Sequence, residues 1–163
     1  MKSDFADGQT LKEMFASGTT WLEKSAPDIN AINVFPVPDG DTGTNMVLTM
    51  KFALEEAKLN SDNKVSSVAK SLAHGALMGA RGNSGVILSQ FFRGLAKGLG
   101  GKTHFDGGDF ARALAESAQM AYKGIVNPVE GTILTVLTDA SKAAQGAVKD
   151  DDGLVPVLEA AVK

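Results

Sequence analysis

Cysteine is absent from this 163-residue chain. That excludes disulfides, thiolate catalysis and Cys-ligated zinc or iron–sulfur sites, and it fits a reducing compartment. Alternating runs rich in Val, Ile and Thr are nearly lacking, so no strand is expected. The opening stretch MKSDFADGQT lacks the apolar segment of a signal peptide. No apolar run approaches the roughly 20 residues that cross a bilayer. Excess positive charge is lacking as well: the net charge is −3, which argues against a nucleic-acid partner. Hydrophobic residues make up 44% and charged residues 21%, ordinary values for a globular protein. The length suits one domain with a real core. The expectation is a soluble, cytoplasmic, single-domain protein with no membrane span.

What is present is helical periodicity, nearly everywhere. Leu11, Phe15, Gly18 and Leu22 share a face of a first helix, and Thr10 with Glu13 has the spacing of a capping box at its start. Pro36 and Pro38 force a loop. Met46, Met50, Ala53 and Ala57 resume the stripe. Val65, Val68, Leu72, Ala76 and Gly79 line a third helix, and Ile87, Phe91 and Leu95 a fourth. Phe110, Leu114, Ala118, Ala121 and Ile125 give a fifth. Asn127 as N-cap, Pro128 at the first position and Glu130 three after the cap predict the start of a sixth. A last helix opens at LVPVLEAAVK and lacks a stop signal, so a truncated fragment is expected. Trp21 and the Phe91–Phe92 pair are assigned to the core. The fold class is all-α, about seven antiparallel helices whose small residues permit close packing.

Three loops have unusual composition, and loops on a rigid scaffold are where function usually sits. NVFPVPDGDTGTN (33–45) brings Asp39 and Asp41 around Gly40. Carboxylates are hard ligands suited to Mg²⁺, and Asn33 offers a neutral amide oxygen. Thr42, Gly43, Thr44 and Asn45 follow at a helix start, where unpaired N–H groups and the helix dipole suit a phosphate. The same residues also make a turn that merely caps a helix. An EF-hand is excluded, since its glycine position is Thr44 and its bidentate Glu position is Met50. The second loop, GARGNSG (79–85), pairs glycines with Asn83 and Ser84 and is neither a P-loop nor a Rossmann motif. The third, NPVEGTILT (127–135), offers Thr132, or only a capped helix start. His74 and His104 have no sequence neighbours for a Ser–His–Asp triad.

NVFPVPDGDTGTNM, GALMGARGNSGVILSQFFRG and PVEGTILTV, in this order, resemble the N-terminal nucleotide-binding domain of the bacterial fatty acid kinase catalytic subunit. That domain is related to the ADP-binding L subunit of dihydroxyacetone kinase. The resemblance covers essentially the whole chain, 1–163, as one kinase domain. It implies a barrel of seven to eight antiparallel helices, completed by a further loop and helix and followed by other domains. By the same resemblance Asp39 and Asp41 are the catalytic carboxylates that hold one or two Mg²⁺ against ATP or ADP. In the dihydroxyacetone kinase branch a third aspartate stands at the position of Val34, and Asn33 beside it is the replacement ligand. Nucleotide contacts map onto Thr42, Gly43, Thr44, Asn45, Gly82, Asn83, Ser84 and Thr132.

The activity so implied is ATP-dependent phosphoryl transfer to the carboxylate of a fatty acid held by a separate carrier protein. The product is an acyl phosphate. A carboxylate acceptor is already ionised, so no general base is required. The resemblance also implies a homodimer formed through the missing domains. Two alternatives stand beside it: the nucleotide subunit of a dihydroxyacetone-type kinase, and a non-catalytic nucleotide-sensing helical domain.

Overall fold

A computed structural model describes residues 5–163 and holds seven helices. They are α1 (Gly8–Ala31), α2 (Thr42–Leu59), α3 (Val65–Met78), α4 (Gly82–Gly98), α5 (Gly107–Lys123), α6 (Ile133–Ala147) and α7 (Leu154–Val162). Among the described residues no strand forms. A single antiparallel bridge joins Ala6 to Phe105, through N–H···O bonds of 2.8 and 2.9 Å.

Each helix packs on the next in chain order, and α1–α3, α2–α4 and α5–α7 add second-neighbour contacts. Among the described residues no substantial contact links α1 to α6 or α7, so these seven helices do not by themselves close the ring of a barrel. The core gathers Leu11, Met50, Val65, Leu72, Phe92, Leu95 and Phe105, among others, and extends to Ala144 on α6 and Val157 on α7. Phe92 meets Phe15 and Phe91 at centroid distances of 5.0 and 5.5 Å. On α4 Leu95 is buried as expected, but Leu88 and Phe92 are buried where Ile87 and Phe91, only partly so, were expected; Leu99, just past the helix, is buried too. Trp21, expected in the core, is 72% exposed on the outer face of α1, and Gly18 faces open space.

Two helix starts differ from the sequence signals. Asp7, not Thr10, is the N-cap of α1: its Oδ1 accepts from the Thr10 N–H at 2.9 Å and from the Thr10 hydroxyl at 3.0 Å. Its Oδ2 accepts from Asn63 Nδ2 at 2.7 Å, which ties α1 to the α2–α3 connection. The start of α6 is Thr132, not Asn127, and α5 stops at Lys123, so Ile125 lies in the loop. Gly131 between them has φ +79, a left-handed turn that ends any helix begun at Pro128.

Small residues bring the helices close, as expected. A Cβ on Gly94 of α4 would collide with the backbone of Glu116 and Ser117 on α5, which cannot give way. Gly94→Ala is therefore predicted to destabilise by about 1–3 kcal/mol through overpacking. Gly146→Ala, with nothing near the new methyl group, is predicted to stabilise by about 0.5–1 kcal/mol. Urea unfolding midpoints check both signs.

Hydrogen bonds, the Thr10 N–H foremost, hold the Asp7 carboxyl below its ordinary value of 3.8. A lowered folded-state value adds stability above that pH, and the gain is lost as pH falls through the folded value. Asp7→Ala is predicted to cost about 1 kcal/mol at neutral pH. The gap to the wild type narrows in titrations carried below pH 3.8.

Candidate functional site

The first loop is held by the end of α1. That helix runs on past Pro27 to Ala31, which places Asn30 in its last turn and Asn33 just beyond it. The Asn33 amide oxygen accepts from the backbone N–H groups of Asp41 (3.2 Å) and Thr42 (3.3 Å). Its Nδ2 donates to the Val37 carbonyl at 3.1 Å. Asn30 Oδ1 accepts from the Thr44 N–H at 3.2 Å. Two neutral amides, one in the last turn of α1 and one just beyond it, thus accept from the Asp41, Thr42 and Thr44 N–H groups at the start of α2. The oxygen that the sequence offers to a metal, on Asn33, faces two backbone donors instead.

Asp41 occupies the N-cap position of α2, yet its side chain makes no capping bond. Among the described residues neither the Asp39 nor the Asp41 carboxylate has a hydrogen-bond or ion-pair partner. Asp39 is exposed and Asp41 half-buried. Gly40 between them takes φ +67, a conformation that only glycine adopts cheaply. The simple capping account of this stretch therefore fails at Asp41.

The second loop adjoins the first. The Ser84 hydroxyl donates to the Thr42 carbonyl at 3.3 Å. The Arg81 N–H donates to Thr49 Oγ1 at 3.2 Å, and that hydroxyl donates to the Asn45 carbonyl at 2.8 Å. Gly82 has φ +61, and a Cβ there would stand 2.6 Å from Asn45 Nδ2. The starts of α2 and α4 are thereby joined at one end of the molecule. Arg81, at the N-cap of α4, supplies no side-chain cap. Among the described residues the N–H groups of Gly82, Asn83 and Ser84 have no partner.

The third loop keeps its polar atoms to itself. The Thr132 hydroxyl donates to the Val129 carbonyl (2.8 Å) and accepts from the Leu134 N–H (3.3 Å). Thr135 Oγ1 joins Glu130 Oε2 at 2.9 Å and the Gly131 N–H at 2.8 Å. Its helix, α6, packs on α5 and α7. No hydrogen bond among the described residues joins Thr132 to the first two loops.

The structure thus brings Asp41, Thr42, Asn45, Gly82 and Ser84 together, with Asp39 and Asn83 in the adjoining turns. Sequence reasoning missed Asn30 and Thr49. Asn30 stands three residues before Asn33, a spacing that shares a helix face. Thr49 carried no signal, since its role depends on where Arg81 arrives. Among the described residues no three His, Asp or Glu side chains converge as a metal cluster. Two carboxylates nonetheless fit Mg²⁺, which keeps several waters and completes its shell with substrate phosphates.

Comparison with known proteins follows the same lines. The chain is 46% identical over 154 residues to Protein YloV of Bacillus subtilis, covering 94% of this chain and 28% of that protein. It is 47% identical over 152 residues to a protein of Staphylococcus saprophyticus, covering 93% and 28%. A Staphylococcus epidermidis protein is 44% identical over 159 residues, covering 95% and 29%. The chain therefore spans less than a third of the length of these relatives. Residues 36–163 match the DAK2 domain; they include the second and third loops and the first from Pro36 onward. The protein belongs to the DAK2 domain family, whose members are kinase-related and resemble the L subunit of dihydroxyacetone kinase.

Proposed function

We propose that this domain binds Mg²⁺–ATP across the joined starts of α2 and α4 and presents the terminal phosphoryl group for transfer. One observation carries the reading: neutral amides cap α2, so the carboxylates of Asp39 and Asp41 stay unpartnered beside helix starts. Those two residues would hold the metal, which neutralises charge on phosphate oxygens. The unpaired N–H groups of Gly82, Asn83 and Ser84 would take phosphate oxygens, helped by the positive end of α4. Gly82 lets the backbone approach a ligand closely. Asn45 lies against it. Thr132, whose hydroxyl is engaged within its own loop, is left out of this reading.

The acceptor is the carboxylate of a fatty acid on a carrier protein, and the setting is a cytoplasmic kinase. The loop sequences VFPVP and GARGNSG support this branch. So does the length of the relatives, more than three times that of this chain, because the fatty acid branch carries further domains. A carboxylate acceptor needs no proton removed. The family description favours a second acceptor, dihydroxyacetone.

Calorimetry of ADP binding, with and without Mg²⁺, tests the first step. Binding is expected to require Mg²⁺, and Asp39→Ala or Asp41→Ala to weaken it at least roughly ten-fold, the cost of one charged contact. Wild-type protein that binds no ADP would sink the proposal, as would variants that bind like the wild type. Gly82→Ala forces a strained φ and a clash with Asn45, and is expected to weaken nucleotide binding more than it lowers the unfolding midpoint. For the acceptor, the intact protein is offered ATP with either a lipid-loaded carrier or dihydroxyacetone. Acyl phosphate is the expected product. Phosphorylation of dihydroxyacetone alone would replace the acceptor, and transfer to neither would favour a sensing role.

A further inference from the structure

The amide of Asn30 makes two bonds to one residue, and their directions are fixed. The Thr44 backbone N–H can only donate, so the atom 3.2 Å from it is Oδ1. Nδ2 therefore faces Thr44 Oγ1, at 3.0 Å. An amide nitrogen has no lone pair to offer, so the Thr44 hydroxyl is the acceptor there and its own proton must point elsewhere. Threonines in helices commonly donate that proton to the carbonyl four residues earlier. Thr49 and Thr138 do so, to Asn45 and Leu134. Among the described residues the Thr44 hydroxyl donates to nothing, and Thr44 is exposed.

The local packing keeps this geometry in place. A Cβ on Gly43 would stand 3.0 Å from Asn30 Oδ1 and 2.5 Å from the Ala26 carbonyl, so only glycine lets α1 approach here. The Thr44 N–H, which the helix start would otherwise offer to an anion, is already taken by Asn30. What Thr44 can still give a ligand is its hydroxyl proton.

We infer that Asn30 is a positioning residue that turns the Thr44 hydroxyl outward as a hydrogen-bond donor to a phosphate oxygen of the nucleotide. This inference rests on the nucleotide reading above. Asn30 itself touches no ligand and acts through Thr44. A carboxylate at the same place would reverse the arrangement. It would still accept from the Thr44 N–H and cap α2, but it would also accept the hydroxyl proton and draw it inward.

The test measures Mg²⁺–ADP affinity and the unfolding midpoint of the intact protein for Asn30→Asp, Thr44→Val, Thr44→Ser and the double variant Asn30→Asp/Thr44→Val. Asn30→Asp is expected to keep the wild-type midpoint yet weaken ADP roughly ten-fold, and Thr44→Val to weaken it similarly. Thr44→Ser, which keeps the hydroxyl, is expected to bind like the wild type. In the double variant the two losses should not multiply, because both act through one proton. Multiplying losses would show that added charge, not the hydroxyl, is responsible, and would overturn the inference. Equal affinity of Thr44→Val and Thr44→Ser would overturn it without recourse to Asn30. Wild-type protein that binds ADP beside an unaffected Asn30→Asp variant sinks this inference alone. Wild-type protein that binds no ADP sinks the nucleotide reading and this inference with it.

Discussion

The hydrogen bonds that Asn30 and Asn33 accept from backbone N–H groups at the start of α2 determine where charge resides at this end of the molecule. A helix start attracts negative charge, and Asp41 is the nearest carboxylate. Had Asp41 capped the helix, its charge would have been absorbed by backbone N–H groups. Uncharged amides perform that task, so two like charges sit on either side of Gly40 with no cation among the described side chains beside them. Both carboxylates are thereby left without a partner at this end of the molecule. Asn33 also ties the loop at Val37, to whose carbonyl its Nδ2 donates.

The scaffold that brings the second loop to the first is the α2–α3–α4 succession. Ser84 meets Thr42, so α2 and α4 begin at the same end and α3 runs back between them. This needs α3 tight against both neighbours. Gly75 supplies that on the α2 side, where any side chain would strike the Phe52 backbone. On the far side Gly94 seats α4 on α5. Close approach at glycines is a packing requirement remote from the loops, and the loop geometry is its outcome.

Seven helices and the three loops between them were legible in the sequence, because apolar residues at helical spacing and clusters of Gly, Pro and Asp are local signals. What was illegible depends on distance along the chain. Asn30 caps a helix 14 residues away, and no local rule connects them. On α4, adjacent apolar pairs (Ile87–Leu88, Phe91–Phe92) fit the helical period in two registers, and packing chose the second. At α6 the Asn-Pro start signal was real chemistry in the wrong place, since the left-handed Gly131 intervenes. Trp21, expected inward, faces out. The carboxylate pair was visible as residue types, but that Asp41 caps nothing became visible only with Asn33 in position.

Burial on α6 is thin: only Leu134, Ser141 and Ala144 are fully covered, and one of those is polar. The helix packs on α5 and α7 and adds Ala144 to the core, while α2 and α4, which carry the first two loops, each bury seven residues. Segments with few buried apolar contacts open first, without unfolding the rest. Amide protons of α6 should thus exchange with solvent well before those of α3 or α4. Among the described residues the better-covered corner is the one where α2 and α4 begin, and the less covered helix is the one that begins after Thr132.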